Sequence, residues 1–214
     1  MKKSFVPAAT RSLQFVLSAA LLLPFCPTAH ALNPHLDTTQ YAHTSWKNRE
    51  GFTNGVISAI AQSADGYLWL GTDSGLYRFD GVRVVAWQPP SNQRLPINDI
   101  VTLLPARDGT LWIGTVKGLA SWKGGKLTQY PELDGMGINE IVQDGDGVVW
   151  AAGWTPAPPG KLSAIQHDTT QCVGRDGSLG RGPAGLFEDS KANLWVATEN
   201  GLWRWKPGPP RFYP

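Results

Sequence analysis

The chain has 214 residues, a formal net charge of +2 and only 17% charged side chains. Nucleic-acid binding needs a basic stripe rather than scattered charges, so this composition gives no reason to expect a nucleic-acid partner. With 24 glycines, 17 prolines and 10 tryptophans, the chain is typical of turn-rich all-β proteins rather than helical ones.

Residues 1–31 have the features of a secretory signal peptide. Lys2 and Lys3 give a positive start, an apolar run extends from Phe15 to Phe25, and Ala31 ends a small-residue cleavage motif. The alternative is a membrane anchor, but the run is shorter than the roughly 20 residues that span a bilayer. We therefore expect cleavage after residue 31 and a periplasmic location.

The remaining chain divides into an N-terminal segment and a set of repeats. Residues 32–55 form the segment, with a lone strand predicted at Tyr41–Trp46. The repeats occupy about residues 56–96, 97–136, 137–182 and 183–214. Their period of roughly 40 residues is typical of propellers and solenoids.

Each repeat is built around one tryptophan. The phrase DGYLWLGTDSGLYRFDG begins at Asp65, and a second version, DGTLWIGTVKGLASWKGG, begins at Asp108. The structural anchors are the tryptophan, the small residue after it and the glycine that begins the next strand: Trp69, Trp112, Trp150, Trp195, Gly71, Gly114, Gly75, Gly118 and Gly201. Recurrence at fixed offsets identifies a genuine internal repeat.

The first repeat predicts four short strands, at Val56–Gln62, Tyr67–Thr72, Leu76–Asp80 and Val82–Trp87. No helix-length segment separates them, which excludes βαβ units. The second strand is apolar on both faces, so both faces must be covered. We therefore predict an all-β fold, a β-propeller of about four blades of four-stranded antiparallel sheet, in which each blade buries its faces against its neighbours.

Two repeats depart from this pattern. In the third, extra residues make a proline-rich loop, Gly153–Lys161, which we expect to bulge from one face and to carry Trp154. In the fourth, Ala192 stands where the other repeats have a turn glycine. If the backbone keeps a positive φ there, the alanine is strained by about 1 kcal/mol.

The phrase AIAQSADGYLWLGTDSGLYRFDG, beginning at Ala59, resembles the two-component regulator propeller repeat. That resemblance covers essentially all of residues 41–214 and implies the periplasmic sensor region of a sensor or hybrid histidine kinase. Propellers of this family need about seven repeats to close a ring, whereas this chain shows four. Because the sequence stops at RFYP, within its repeat rhythm, we expect an incomplete, open part of a larger ring. The alternative is a closed ring of four blades.

Reactive groups do not converge on a recognisable catalytic motif. His35, His43 and His167 fall at no metal-ligand spacing and beside no paired carboxylates. The sequence DGDG at Asp144–Gly147 hints at calcium, but it lacks further carboxylate ligands and occupies the turn position of the other repeats. We predict no catalytic residue, no cofactor site and no metal site.

Binding is a better-supported role, because propeller faces present one variable loop per blade. The predicted ligand-binding residues lie in or beside such loops: Trp154, Arg94, Lys161 and Arg175. Trp154 is the strongest of them, since an exposed indole can stack on sugar rings or apolar groups. The alternative interpretation is that Trp154 packs against its own blade.

The leading hypothesis is thus an exported, non-catalytic propeller fragment that senses an extracellular small molecule or oligosaccharide. Its partners would be the remaining blades and the kinase of the parent protein. Two alternatives stay open: a secreted propeller lyase or carbohydrate-active enzyme, and a stand-alone periplasmic interaction protein. Unpaired blade edges also predict self-association.

Overall fold

The structure, a computed structural model, describes residues 44–47, 52–90, 92–156, 160–166, 169–174 and 176–214. The predicted signal peptide lies outside the described residues, as do Arg175 and all the histidines. The first half of the lone strand predicted at Tyr41–Trp46, residues 41–43, also lies outside them. Residues 44–47 have no regular secondary structure.

Sixteen strands are found in the described part of the chain, and they form four antiparallel four-stranded meanders. Sheet 1 contains β1 (Ile57–Gln62), β2 (Leu68–Thr72), β3 (Gly75–Phe79) and β4 (Val84–Ala86). Sheet 2 contains β5 (Ile100–Pro105), β6 (Leu111–Thr115), β7 (Gly118–Lys123) and β8 (Lys126–Gln129). Sheet 3 contains β9 (Gly137–Gln143), β10 (Val149–Trp154), β11 (Lys161–Gln166) and β12 (Thr169–Val173). Sheet 4 contains β13 (Gly185–Glu188), β14 (Leu194–Thr198), β15 (Gly201–Lys206) and β16 (Arg211–Tyr213).

The predicted fold class is confirmed. One sheet forms per repeat, and a single-turn 3-10 helix at Pro131–Leu133 links sheets 2 and 3. The first strands of the sheets, β1, β5, β9 and β13, lie side by side in chain order, as the inner strands of propeller blades do. Within the described residues, the four sheets form an open series.

Each sheet has two apolar faces, because successive side chains of its second strand point to opposite faces and are apolar on both. We call the side that carries the repeat tryptophan the tryptophan face, and the opposite side the leucine face. The tryptophan faces of sheets 1, 2 and 3 pack against the leucine faces of sheets 2, 3 and 4. This stacking explains the repeat, because each sheet supplies the apolar wall that its neighbour needs.

The small residue after each tryptophan makes room for the next sheet. A Cβ atom placed on Gly71 would lie 2.6 Å from Cγ2 of Ile100 in β5. A Cβ atom on Gly114 would lie 2.8 Å from Cγ2 of Ile138 in β9. These glycines are therefore needed because an isoleucine of the following inner strand packs directly onto their backbone. The anchors Gly75, Gly118 and Gly201 begin the third strands and share φ values between +144° and +149°.

Among the described residues no sheet precedes the leucine face of sheet 1, and part of this face is covered by residues before β1. Trp46 and Phe52 pack against Phe79, with ring centroids 5.1 Å and 5.2 Å away in edge-on geometry. Tyr77 and Leu70 complete this small cluster. The outer part of this face is thereby buried.

The prediction about the fourth-repeat turn is confirmed, because Ala192 has a φ of +59°. The matching residues of the other sheets, Gly66, Gly109 and Gly147, have φ values of +89°, +81° and +86°. Since a side chain in this region costs about 1 kcal/mol, Ala192→Gly is expected to raise the free energy of unfolding by up to that amount. Thermal melts monitored by circular dichroism measure this change. An unchanged or lowered midpoint would contradict it.

Candidate functional site

A cleft of about 610 Å³ separates the outer parts of sheets 2 and 3. We call it cleft A. Its volume falls within the range of small-molecule sites in proteins. Its lining combines aromatic, hydroxyl, amide and charged side chains: Asp108, Thr110, Trp112, Ser121, Lys123, Lys126, Thr128, Tyr130, Gln143, Asp146, Val149, Ile165 and Gln166.

One wall of cleft A is aromatic and carries hydroxyl groups. The Trp112 ring stacks on Tyr130 at a centroid distance of 5.2 Å. The Tyr130 hydroxyl lies 3.0 Å from Oγ of Ser121, so the two share a hydrogen bond. Thr128, on the neighbouring strand β8, is half-buried beside them. Trp112 and Tyr130 belong to the core, so the groups that remain accessible to a ligand are mainly the polar ones.

The mouth of cleft A carries charge at the turns of sheet 2. Nζ of Lys123 donates to Oδ2 of Asp108 at 2.5 Å, and the Thr110 hydroxyl donates to the same oxygen at 3.0 Å. The pKa of Asp108 lies below its ordinary value, mainly because Lys123 donates a hydrogen bond to its carboxylate. Lys126, after the glycine turn, is exposed and adds a second positive charge. This mouth therefore suits a polar ligand with hydroxyl or acidic groups.

A second cleft, of about 400 Å³, lies at the opposite ends of the strands. We call it cleft B. It is lined by the turn at Ser74–Gly75 and by the loop that joins β4 to β5, including Gln93 and Arg94. The loop is held onto sheet 2 because Oε1 of Gln93 accepts from the Leu127 backbone at 2.6 Å.

The sequence-predicted ligand residues are not gathered into one site. Arg94 is exposed and lines cleft B. Trp154 and Lys161 line neither cleft in the described part of the chain; Lys161 begins β11 and pairs with Gly153. Arg175 lies outside the described residues. A ligand role for these four residues stays a prediction.

The expectation that the proline-rich loop carries Trp154 is wrong, whereas residues 157–159 of that loop lie outside the described residues. Trp154 is the last residue of β10 and pairs with Gly137 of β9. Its indole lies on Gly137, which has no side chain to obstruct it, yet 44% of the residue is exposed. Trp154 therefore packs on its own sheet, as the alternative interpretation had it, while keeping an accessible ring edge.

The cleft A residues were not predicted from the sequence. They come from all four strand positions and from the turns of two different repeats, so no single motif contains them. The sequence contains one local indication of a polar site. The cross-strand pair Ser121 and Thr128 in sheet 2 carries two hydroxyl groups, whereas the equivalent pair in sheet 1 is Arg78 and Val85. These side chains line a cleft only because sheets 2 and 3 are separated at this point, which the sequence does not indicate.

The described residues contain no group of three or more histidine, cysteine or acidic side chains placed to hold a metal ion. Cys172 is a free, half-buried thiol that accepts a hydrogen bond from Ser163 at 3.2 Å. Within the same residues, no helix has the length and apolarity required to span a membrane.

Comparison with known proteins identifies the repeat. The family model described as two component regulator propeller matches residues 51–74 and 94–117, which are successive copies of the tryptophan phrase. None of the curated proteins matches the sequence.

Solved structures share the fold. The extracellular domain of the hybrid two component system BT4673 from B. thetaiotaomicron superposes with a TM-score of 0.58 and 22% identity, over 73% of this chain and 22% of that one. Virginiamycin B lyase from Staphylococcus aureus superposes with a TM-score of 0.54 and 18% identity, over 73% of this chain and 55% of the lyase. This chain thus spans only about a fifth of the length of the two component domain.

Proposed function

We propose, from the premise that the chain carries repeats of the two component regulator propeller family, that it serves as the extracytoplasmic signal-binding part of a two-component sensor. The observation that carries this proposal is the family match in two successive repeats. The open series of four sheets supports it, because propeller blades present their turns and clefts along shared ends.

The role we assign to the chain is binding rather than catalysis. Its partners would be further blades of the same kind and a histidine kinase that responds to them. In such an arrangement a ligand acts by favouring one conformation of the sensor, and it can shift the equilibrium only by its difference in affinity for the two states.

We assign the ligand to cleft A and expect an extracellular small molecule or oligosaccharide rich in hydroxyl groups. The hydroxyl of Thr128 and the amide of Gln166 can donate to and accept from such a ligand. Lys126 can bind an acidic group if the ligand has one. The aromatic pair behind them gives an apolar floor.

A thermal-shift screen of neutral oligosaccharides and sugar acids on the purified chain tests this proposal. A compound that binds is expected to raise the melting midpoint in a concentration-dependent manner. Thr128→Ala and Lys126→Ala should each weaken its affinity, by roughly tenfold where a charge-assisted hydrogen bond is lost. Lys191→Ala, an exposed lysine on a turn of sheet 4, is the matched control and should leave affinity unchanged.

Two outcomes would contradict parts of the proposal. If Arg94→Ala loses affinity for the ligand while Thr128→Ala keeps it, the ligand binds in cleft B and not in cleft A. If chromatography of the mixture shows that the chain consumes a bound compound, this result would contradict the non-catalytic role and favour a propeller enzyme.

A further inference from the structure

We propose that Arg204 and Arg211, which lie side by side on the tryptophan face of sheet 4, bind a doubly charged oxyanion such as a sulfate or phosphate group. This site lies on a different sheet from cleft A, and its ligand differs in charge from the hydroxyl-rich compound that we assign to cleft A. The inference therefore does not depend on the proposed sensing function.

The two arginines are direct cross-strand neighbours. Arg204 of β15 pairs with Arg211 of β16 and, on its other side, with Trp195 of β14, so all three share the tryptophan face. Side chains at directly opposite positions of an antiparallel pair begin about 4.5–5.5 Å apart at Cβ, so the two guanidinium groups can contact one anion together. Like charges at such positions repel each other, and an anion bound between them would offset that repulsion.

Neither arginine is neutralised by an acidic side chain of the described residues. The ion pairs found among these residues are made by Lys123 and Lys206. Nε of Arg204 is shielded from solvent and has no hydrogen-bond partner in the described part of the chain. A buried N–H group without an acceptor is costly, which favours a ligand that supplies one. Two positive charges without a counter-charge match a dianion better than a monoanion.

Aromatic rings beside the pair orient it. Cζ of Arg211 lies over the Tyr213 ring, 5.1 Å from its centroid. The Tyr213 ring lies 5.8 Å from the Trp195 ring, measured between centroids. A guanidinium group that lies over an aromatic ring is attracted to its face, and its planar fork of donors loses little further freedom when it binds an oxyanion.

The corresponding positions of the other sheets show that this row of the tryptophan face is suited to a ligand. The equivalent cross-strand pairs in sheets 1, 2 and 3 are Arg78 and Val85, Ser121 and Thr128, and Ala164 and Gln171. The pair of sheet 2 lines cleft A, although sheet 3 follows it. A ligand-sized space therefore adjoins this row even where a following sheet is present. Sheet 4 differs in placing two arginines there.

NMR spectra of the arginine Nε–H groups test the site directly. Addition of sodium sulfate to the ¹⁵N-labelled chain, with the ionic strength held constant by sodium chloride, is expected to shift the Arg204 signal in a saturable manner. The Arg204→Gln variant identifies this signal by its loss. Sodium phosphate should bind in the same way, whereas sodium acetate, with one charge, should bind at least about tenfold more weakly.

Variants of the exposed arginines test whether the pair is required. Arg211→Gln should weaken sulfate binding by at least about tenfold, because charge-assisted hydrogen bonds are lost. Arg211→Lys keeps the charge without the planar fork and should lose less affinity. Arg78→Gln is the matched control, since Arg78 is exposed at the equivalent position of sheet 1 beside Val85, and it should leave sulfate binding unchanged. Circular dichroism checks that each variant keeps its fold.

Three results would overturn the proposal: no saturable shift with sulfate or phosphate, equal affinity for acetate, or equal losses in Arg78→Gln and Arg211→Gln. Phenyl phosphate distinguishes the two sources of the oxyanion. Tighter binding of phenyl phosphate than of inorganic phosphate indicates a group carried by a larger ligand, and equal binding indicates a free ion. Both of these results support the site.

Discussion

Replacing Trp150 by alanine is expected to lower the free energy of unfolding by roughly 3–5 kcal/mol. Trp150 is buried between sheets 3 and 4, where it packs with Leu186, Leu194 and Val196. Its Nε1 donates to Oδ2 of Asp144 at 2.7 Å. Removal of the indole opens a cavity between two sheets that meet through this contact, and it also deprives the carboxylate of a donor.

Trp195 provides a matched control for this prediction. It occupies the same position in sheet 4 and makes the same type of hydrogen bond, to Oδ2 of Asp189 at 2.9 Å. Trp195 is only half-buried, and no sheet of the described residues covers its face, so Trp195→Ala should cost only about 1–2 kcal/mol. Urea denaturation followed by far-UV circular dichroism, at a concentration that keeps the chain monomeric, gives both values. Equal losses for the two variants would show that inter-sheet packing is not the source of the effect.

These two tryptophans also show which parts of the fold can be predicted from the sequence. The repeated phrase predicts the four strands and the stacking, because apolar residues on both faces of β2 require two walls. It does not predict that Trp150 is buried and Trp195 half-buried, since both occupy the same position in their repeats. The difference arises from the neighbouring sheet, which only the three-dimensional arrangement supplies.

The candidate site was less accessible to prediction for a related reason. The irregular loop between β4 and β5 predicts Arg94 as a ligand residue, and Arg94 lines cleft B. Lys126 and Thr128 were missed, because a regular strand and its turn give no local sign of a gap beyond them. The prolines after Trp154 predict a loop at this position, whereas in the structure Trp154 pairs with Gly137 at the end of β10 and its ring lies on that glycine.

Asp144 was interpreted from sequence only as part of a turn, and its second role depends on a residue of the next repeat. Its carboxylate is fully buried and accepts from the backbone N–H of Asp146 at 3.0 Å and of Val148 at 2.9 Å. It also accepts from Nζ of Lys206, in sheet 4, at 2.7 Å. The turn of sheet 3, its tryptophan and the adjacent sheet therefore converge on one carboxylate.

Asp144→Ala is accordingly expected to destabilise the chain by about 3–5 kcal/mol at pH 7, because it leaves the backbone N–H groups of Asp146 and Val148 and Nε1 of Trp150 without their acceptor. Lys206 keeps Asp146 as a partner. Asp146→Ala is the control: this carboxylate binds the same Lys206 at 2.9 Å but is mostly exposed, so its loss should cost less than about 1 kcal/mol. Urea denaturation of both variants and the unmodified chain measures the difference. Similar losses for the two variants would mean that burial of Asp144 contributes nothing.

The pH dependence of this effect has a definite sign. Burial of Asp144 opposes ionisation, but the hydrogen bonds from Lys206, Trp150 and Val148 outweigh it, so its pKa lies below the ordinary value of 3.8. A group with a lowered pKa in the folded state contributes its full stability above the unfolded pKa and loses it as the pH falls through the folded value. The gap in unfolding free energy between the unmodified chain and Asp144→Ala should therefore stay constant from pH 7 to about pH 5 and narrow only below about pH 4. A gap that narrows already between pH 7 and pH 5 would contradict the assignment, since it would require a raised pKa for this carboxylate.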